Sequence, residues 1–511
     1  MFENMQGALN ELFTWSSALG LFIGVVGGMI IGALPGLSAT MGIALLIPIT
    51  YGMRPSAAIL MLAAIYTSAV YGGSISAILI HTPGTPSSAA TCLDGYPMAQ
   101  KGQSLHAIGI STTSSVIGGV ISAIALMLIA PPLARLSLKF GSTEYFLIAI
   151  FGLTLIASLA ADNMVKGLIA GFFGLAVSLI GTAADGSSRF TFGITGIMGG
   201  ISLIPAMIGL FSISQVMIQA DERGKEPVKL EEAKIGGRFL PTGKEFIRLI
   251  PLILECSVVG VFIGILPGAG GDIASWVGLN LAKNQSKHPE QFGTGIVEGV
   301  AAPEAANNAV TGGALIPLLT LGIPGSSTAS VLLGGLTIHG LAPGFELFDK
   351  YADITYCVIL GFLVANILMG LVGWAAGRYV TKVSKVPIPL LIPCIAVLSL
   401  LGSYAATRNF ADIWVAIIFG LIGFVFRKYG VPTAPIVLAL ILGPMADSYM
   451  FTGSNIAKKA GLSFWQYIPT RPLSIVMIIL ILLALLSPLL SKSISKNYEK
   501  KHGKIEAAED D

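Results

Sequence analysis

From Trp15 to Leu490 the chain is a succession of apolar runs parted by short turns, and this restricts the possible folds more than any other feature. The runs lie near 15–34, 40–50, 56–80, 107–131, 143–162, 166–182 and 196–220, then near 249–267, 304–322, 327–342, 353–376, 387–403, 411–426, 431–447 and 473–490. A crossing helix needs roughly 20 apolar residues, so several of these are too short to span alone and read as halves of interrupted helices. The pattern predicts an all-α polytopic membrane protein with about ten to twelve transmembrane segments. Only 11% of the 511 residues are charged, against roughly 25% in soluble proteins, which leaves no room for a large water-exposed domain. A net charge of +3 without a basic, aromatic-lined stripe excludes nucleic acid as a partner. Cys92, Cys256, Cys357 and Cys394 are scattered and form no C-x-x-C pair, so neither a disulfide nor a thiolate metal site is expected. The leading MFENMQGALNELF carries two acids and no Lys or Arg, so no secretory signal is expected there and the N-terminus should persist in the mature chain.

Loop charge sets the orientation. Asp221–Arg248 is the long polar stretch, with seven Lys/Arg, and the tail after Leu490 is lysine-rich; both are expected in the cytoplasm. The two series of runs also resemble each other. GALPG at Gly32–Gly36 matches GILPG at Gly264–Gly268, offset 232, and TPGTPSS at Thr82–Ser88 matches IPGSS at Ile323–Ser327, offset 241. LTLIASLAAD from Leu153 matches LSLLGSYAAT from Leu398 at offset 245, and FGL recurs at offset 246. Arg378, Lys382, Lys385, Arg427 and Lys428 make the second copy begin and end in the cytoplasm, whereas the first begins outside, which gives two repeats of inverted topology. That orientation leaves Arg135 and Lys139 outside, against the charge rule. The expected organisation is a first repeat over 1–195, a connecting helix and loop over 196–248, a second repeat over 249–430, C-terminal transmembrane helices over 431–490 and a tail over 491–511.

Each copy holds two breaks. Irregular backbone at membrane depth is tolerated only where protein or a water-filled cavity covers it, so such breaks point to function. The first is GALPGLSATMG (Gly32–Gly42), matched by GILPGAGGDIAS (Gly264–Ser275); the second is HTPGTPSSAA (His81–Ala90), matched by LGIPGSSTAS (Leu321–Ser330). Pro-Gly followed by Ser/Thr is a helix-start signature, and helix starts bind anions. Ser38, Thr40, Thr85, Ser87, Ser88, Ser326, Ser327 and Thr328 are therefore candidate carboxylate ligands. The freed carbonyls around Gly36, Pro83, Gly84, Gly268, Pro324 and Gly325 suit a hard cation such as Na+. Ordinary interfacial turns are the alternative reading.

EGVAAPEAANNAVTGG (Glu298–Gly313) adds strongly polar groups in a small-residue stretch. Asn307 and Asn308 are candidate substrate ligands, and Glu304 a cation ligand or proton carrier, set against a first-turn acid and a capping amide at an interface. Glu304 and Asn308, four apart, share a helical face. Asp272 reads as a cation ligand or an N-cap, and His81 as an interfacial residue or a ligand. Trp15, Trp276, Trp374, Trp414 and Trp465 read as interface anchors.

The strings IGALPGLSATMGIALLIPITYGM, SISAILIHTPGTPSSAAT, EGVAAPEAANNAVTGGALIPLLTLGIPGSSTASVLLG and HGLAPG resemble the large membrane subunit of the tripartite tricarboxylate transporters, over about Gly24 to Leu490. The resemblance implies a multi-pass protein of the bacterial inner membrane; loop charge then puts its N-terminus in the periplasm and its C-terminus in the cytoplasm. It further implies a small membrane subunit of about four helices and a periplasmic solute-binding protein as partners, and Na+- or proton-driven uptake of citrate-like or other small carboxylates. No cofactor is expected beyond the coupling ion, and no metal beyond Na+. H-E-x-x-H, G-x-S-x-G and a spaced G-x-G-D are all missing, so no enzyme is expected. A channel built from the same carbonyls, or an uncoupled anion permease, is the alternative.

Overall fold

A computed structural model describes residues 2–34, 37–154, 164–193, 197–221, 236–266, 270–383 and 388–483. The helices are α1 (Phe2–Leu12), α2 (Trp15–Ala33), α3 (Ala39–Thr50), α4 (Pro55–Ile80), α5 (Ala89–Gln100), α6 (Ser104–Ser137), α7 (Ser142–Thr154) and α8 (Met164–Ser178). Then come α9 (Leu203–Asp221), α10 (Gly243–Ile265), α11 (Gly270–Gln285), α12 (Glu298–Leu321), α13 (Ser327–Ile338) and α14 (Phe345–Asp349). Last are α15 (Ala352–Val383), α16 (Ile388–Thr407), α17 (Ala411–Lys428), α18 (Ala434–Lys459), α19 (Phe464–Tyr467) and α20 (Pro472–Leu483). The described residues depart from all-helical structure in one small hairpin, β1 (Gly181–Thr182) antiparallel to β2 (Ser188–Arg189).

Among the described residues seven helices are long and apolar enough to cross a membrane: α2, α4, α6, α9, α10, α15 over Ala352–Ala375, and α18. An eighth arises if Phe464–Thr470 and α20, bent by 100°, count as one span. This is fewer than the ten to twelve expected because α3, α7, α8, α13 and Ile392–Ala405 of α16 are apolar helices of only 10–17 residues. In α12 length suffices but composition does not: Glu304, Asn307, Asn308 and two prolines dilute its apolar residues.

Contacts divide the chain into two compact units, one of residues 1–139 with 201–437 and one of 140–200 with 438–511. In the first, α4 and α12 form the centre; Ser56–Leu79 and Gly299–Thr320 are buried without exception. Glycines admit this density. Gly20, Gly24, Gly28 and Gly32 of α2 bring its backbone against Ala57, Met61, Ile65 and Ala69 of α4, where any Cβ would strike main chain. Gly260 and Gly264 of α10 do the same against Ala306 and Val310 of α12. Small-residue ridges of this kind suit apolar surroundings, where helices associate by close packing without a hydrophobic driving force between them.

Both central helices end alike, 241 residues apart: α4 at His81, φ 52°, and α12 at Gly322, φ 72°, each a left-handed C-cap. His is among the few non-glycine residues enriched in that region. Exposed His81 stacks on Tyr96, centroids 4.6 Å apart. His81 thus stands at the C-cap of α4, a place that neither of its two readings foresaw. Just beyond the caps, Gly84 abuts the Gly32 carbonyl and Gly325 the Gly264 carbonyl, again 241 and 232 residues apart.

A buried acid ties α5 to the loop before α12. Asp94 Oδ1 accepts from the backbone N–H of Gly293 (2.9 Å), Gly295 (2.8 Å) and Ile296 (3.1 Å). Glycines at φ 90° and 95° turn those N–H groups toward one point. Asp94→Ala, which orphans three donors, is expected to cost about 2 kcal/mol, whereas Asp94→Asn, which keeps an acceptor oxygen, should cost less; thermal unfolding in detergent checks the order.

In the second unit, Phe146, Leu147, Phe464, Ile468 and Ile481 form one core, and Leu438, Ala439 and Leu442 another. Buried Glu144 accepts from Gly141 N (2.7 Å), Arg471 Nε (2.6 Å) and Ser474 Oγ (2.7 Å). At the hairpin, Arg189 pairs with Asp447 at 2.9 Å.

Candidate functional site

Every predicted break that falls on described residues is a break. Helix α2 stops at Ala33 and α3 resumes after Ser38, whose hydroxyl caps Met41 N. After α4 the chain is irregular to Thr85, makes a 3₁₀ turn over Pro86–Ser88 and continues as α5. Ser88 and Thr85 hold that turn: Ser88 Oγ donates to Thr85 O (2.8 Å), and Thr85 Oγ1 lies 3.1 Å from Ser87 Oγ. In the second half α10 gives way to α11 at Gly270, and α12 to α13 at Ser326, whose hydroxyl caps Ala329 N at 3.1 Å. Gly36 and Gly268 lie outside the described residues.

The breaks meet crosswise. Thr40, just after the first break of the first half, shares a 2.8 Å hydrogen bond with Thr328, just after the second break of the second half. Tyr66 of α4 bonds Ser326 Oγ at 2.7 Å. In reciprocal fashion, Gly271 at the start of α11 faces Ser87: a Cβ added there would lie 3.0 Å from Ser87 Cβ and 2.5 Å from Asn307 Oδ1. Asp272, in the first turn of α11, is exposed, and Ser327 is half-buried. Pro83, half-buried, and buried Pro324 stand in the irregular segments, followed by the glycines Gly84 and Gly325 that seat them.

Between these turns runs the polar strip of α12. Asn307 is wholly buried, and neither of its amide atoms has a partner. Leaving such groups unpaired costs roughly 1–3 kcal/mol, which makes this amide a candidate ligand. Asn308, its neighbour, turns elsewhere: Nδ2 donates to Thr67 Oγ1 at 3.2 Å, and Thr67 Oγ1 donates to Asn366 Oδ1 at 2.7 Å. Glu304 shares the Asn308 face, as the spacing of four predicts, and both reach α4. It lies beyond the first turn of α12, is fully buried, and takes hydrogen bonds from Ser74 (2.6 Å), Thr91, Ser111 (3.1 Å) and Ser115 (3.0 Å).

The arrangement offers an uncapped amide beside the N-terminal end of a 16-residue helix, with a hydroxyl opposite. That chemistry fits a carboxylate: helix-start N–H groups and the helix dipole favour an anion.

The pattern of the Tripartite tricarboxylate transporter TctA family matches residues 19–438. The chain belongs to that family. An uncharacterized 52.8 kDa protein in the TAR-I ttuC' 3' region of Agrobacterium vitis is 32% identical over 465 residues, 91% of this chain and 92% of the relative. An uncharacterized protein in the TAR-II ttuC' 3' region of the same organism is 32% identical over 191 residues, 37% of this chain and 79% of the relative. No solved structure matches. As a TctA protein the chain is the large membrane subunit of a tripartite tricarboxylate transporter, multi-pass, and not an enzyme.

All the candidate ligands lie inside the TctA match. The sequence reading missed Tyr66, Thr67, Gly271 and Asn366, and the hydroxyls around Glu304. For Ser111 and Ser115 a signal existed, since STTSS at Ser111–Ser115 interrupts an apolar run. Gly271 carries no chemistry of its own, and its role is to leave space.

Proposed function

We propose that this TctA chain moves a small carboxylate, citrate-like or related, across a bacterial inner membrane, driven by co-transported Na+ or H+. The reading rests on one observation: an unpartnered, buried Asn307 amide faces the start of α11 and Ser87. Asn307 Nδ2, Ser87 Oγ and the first N–H groups of α11 are donors for carboxylate oxygens, with Thr40, Thr328 and Ser326 lining the reciprocal pair of breaks. The recurrence of helix ends and glycine contacts at offsets of 241 and 232 supports two copies of one repeat. Loop charge supports their opposite orientation, an architecture that places substrate between the copies.

None of these ligands is Lys or Arg. A carboxylate at membrane depth then needs co-bound cations, since isolated charge in low dielectric is prohibitive. Membership of the TctA family supports a small membrane subunit of about four helices and a periplasmic binding protein that delivers the solute. The N-terminus is periplasmic and the C-terminus cytoplasmic in this account.

Proteoliposomes holding the complete three-part system test it with a panel of labelled mono-, di- and tricarboxylates. Accumulation above equilibrium is expected for at least one of them under an inward Na+ or H+ gradient, and equilibration alone without one. Equilibration under every gradient would leave a channel or uncoupled permease.

A further inference from the structure

Glu304 sits at the crossing of four helices. Ser74 comes from α4, Thr91 from α5, Ser111 and Ser115 from α6, and the carboxylate from α12. Ser74 and Thr91 bond one oxygen, Ser111 and Ser115 the other. An ionised carboxylate offers about four acceptor positions, and four hydroxyls fill them. A carboxylic acid would need an acceptor for its own proton, and one hydroxyl would have to turn round. Four hydroxyl oxygens thus converge on one carboxylate, each able to rotate its hydrogen to suit the charge it faces. Yet no Lys, Arg or His among the described residues forms an ion pair with it. Once ionised, a buried carboxylate with hydrogen bonds but no counter-charge is costly, and a mobile cation removes the cost.

We propose that Glu304 with Ser74, Thr91, Ser111 and Ser115 is a site for one monovalent cation, Na+, and that it supplies the coupling charge. The donor set is oxygen throughout, which suits a hard cation, and one carboxylate balances one positive charge. When the ion enters, the hydroxyls turn their lone pairs toward it, and the ion takes over from their hydrogens as the positive partner of the carboxylate. Coupling to substrate follows from position: Glu304 lies one helical turn from Asn307 and Asn308 on a helix buried along its length. Occupancy here fixes α12 against α4, α5 and α6, and so sets where Asn307 points. This places the ion away from the Pro-Gly carbonyls, and it rests on the cation-coupled reading above.

The test is thermal unfolding of the purified full chain in detergent, in 100 mM NaCl against choline chloride of equal ionic strength. Wild type is expected to gain roughly 3 °C or more in NaCl, and Glu304→Gln, close in shape but uncharged, to gain nothing. Should Glu304→Gln fail to fold, Ser115→Ala and Thr91→Val each remove one oxygen and keep the carboxylate; each is expected to raise the half-maximal Na+ concentration about tenfold. No Na+-specific shift in wild type, a shift that follows pH instead of Na+, an undiminished shift in Glu304→Gln, or an unchanged Na+ requirement in both hydroxyl variants would overturn the assignment. Gradient-driven uptake without such a shift removes only this site, whereas a Glu304-dependent shift with gradient-independent uptake removes only the coupling.

Discussion

Gly271→Ala is expected to cut carboxylate uptake by about 100-fold while the protein stays folded. The added Cβ would lie 2.5 Å from Asn307 Oδ1 and 3.0 Å from Ser87 Cβ, inside contact distance for both. The Asn307 amide is the far end of a side chain and can swing aside, whereas Ser87 Cβ is fixed to its backbone, so the Ser87 turn must give by a few tenths of an ångström. Unlike Gly270, at φ 60°, Gly271 has no left-handed conformation that alanine would strain, and alanine is favoured over glycine by up to about 1 kcal/mol in a helix interior. The loss of stability is therefore expected to be small, and the protein to stay folded. Displacing binding groups by about 1 Å can cost on the order of 100-fold in turnover. Uptake in proteoliposomes, with the melting temperature of the same preparation, separates the two effects. Full uptake by Gly271→Ala would mean that substrate passes elsewhere.

Gly84→Val and Gly325→Val are expected to act on the fold itself, and to act alike. At Gly84 the new side chain meets the Gly32 carbonyl and the Gly73 Cα; at Gly325 it meets the Gly264 carbonyl and Ala314. These neighbours are main chain in buried helices and cannot swing away. Overpacking usually costs 1–3 kcal/mol, and here the larger figure, about 3 kcal/mol or more, is expected for each. Thermal unfolding and size-exclusion profiles in detergent check this. The comparison carries the information: equal losses fit two halves built on one plan, while a loss at one position only would deny that the two glycines do the same job.

Much of this was legible in the sequence because breaks are local. Proline, glycine and hydroxyl residues announce the ends of helices whatever surrounds them, so the helix end at Ala33 and the interruptions at His81–Thr85 and Gly322–Ser326 could be placed, and the matching strings paired. The face shared by Glu304 and Asn308 was equally readable, since it follows from the helical period. What could not be read was who meets whom. Thr40 and Thr328 are 288 residues apart, and nothing in either neighbourhood names the other. Asn307 and Asn308 look interchangeable in sequence, yet the 100° between adjacent helical positions sends one to Gly271 and the other to Thr67. Fewer of the described helices are long and apolar enough to cross than the apolar runs suggested, for a related reason. Apolar composition does not distinguish a full span from the short helices on either side of a break.

The claim beneath the account is that breaks from opposite halves of the chain close on one another where the substrate binds. In a chain freed of its four native cysteines, Thr40→Cys with Thr328→Cys measures this directly, since the two hydroxyls lie 2.8 Å apart. Mild oxidation is expected to join the pair and to stop carboxylate uptake until a reductant restores it. A pair that alkylates freely but never joins, or joins with uptake intact, would contradict the account.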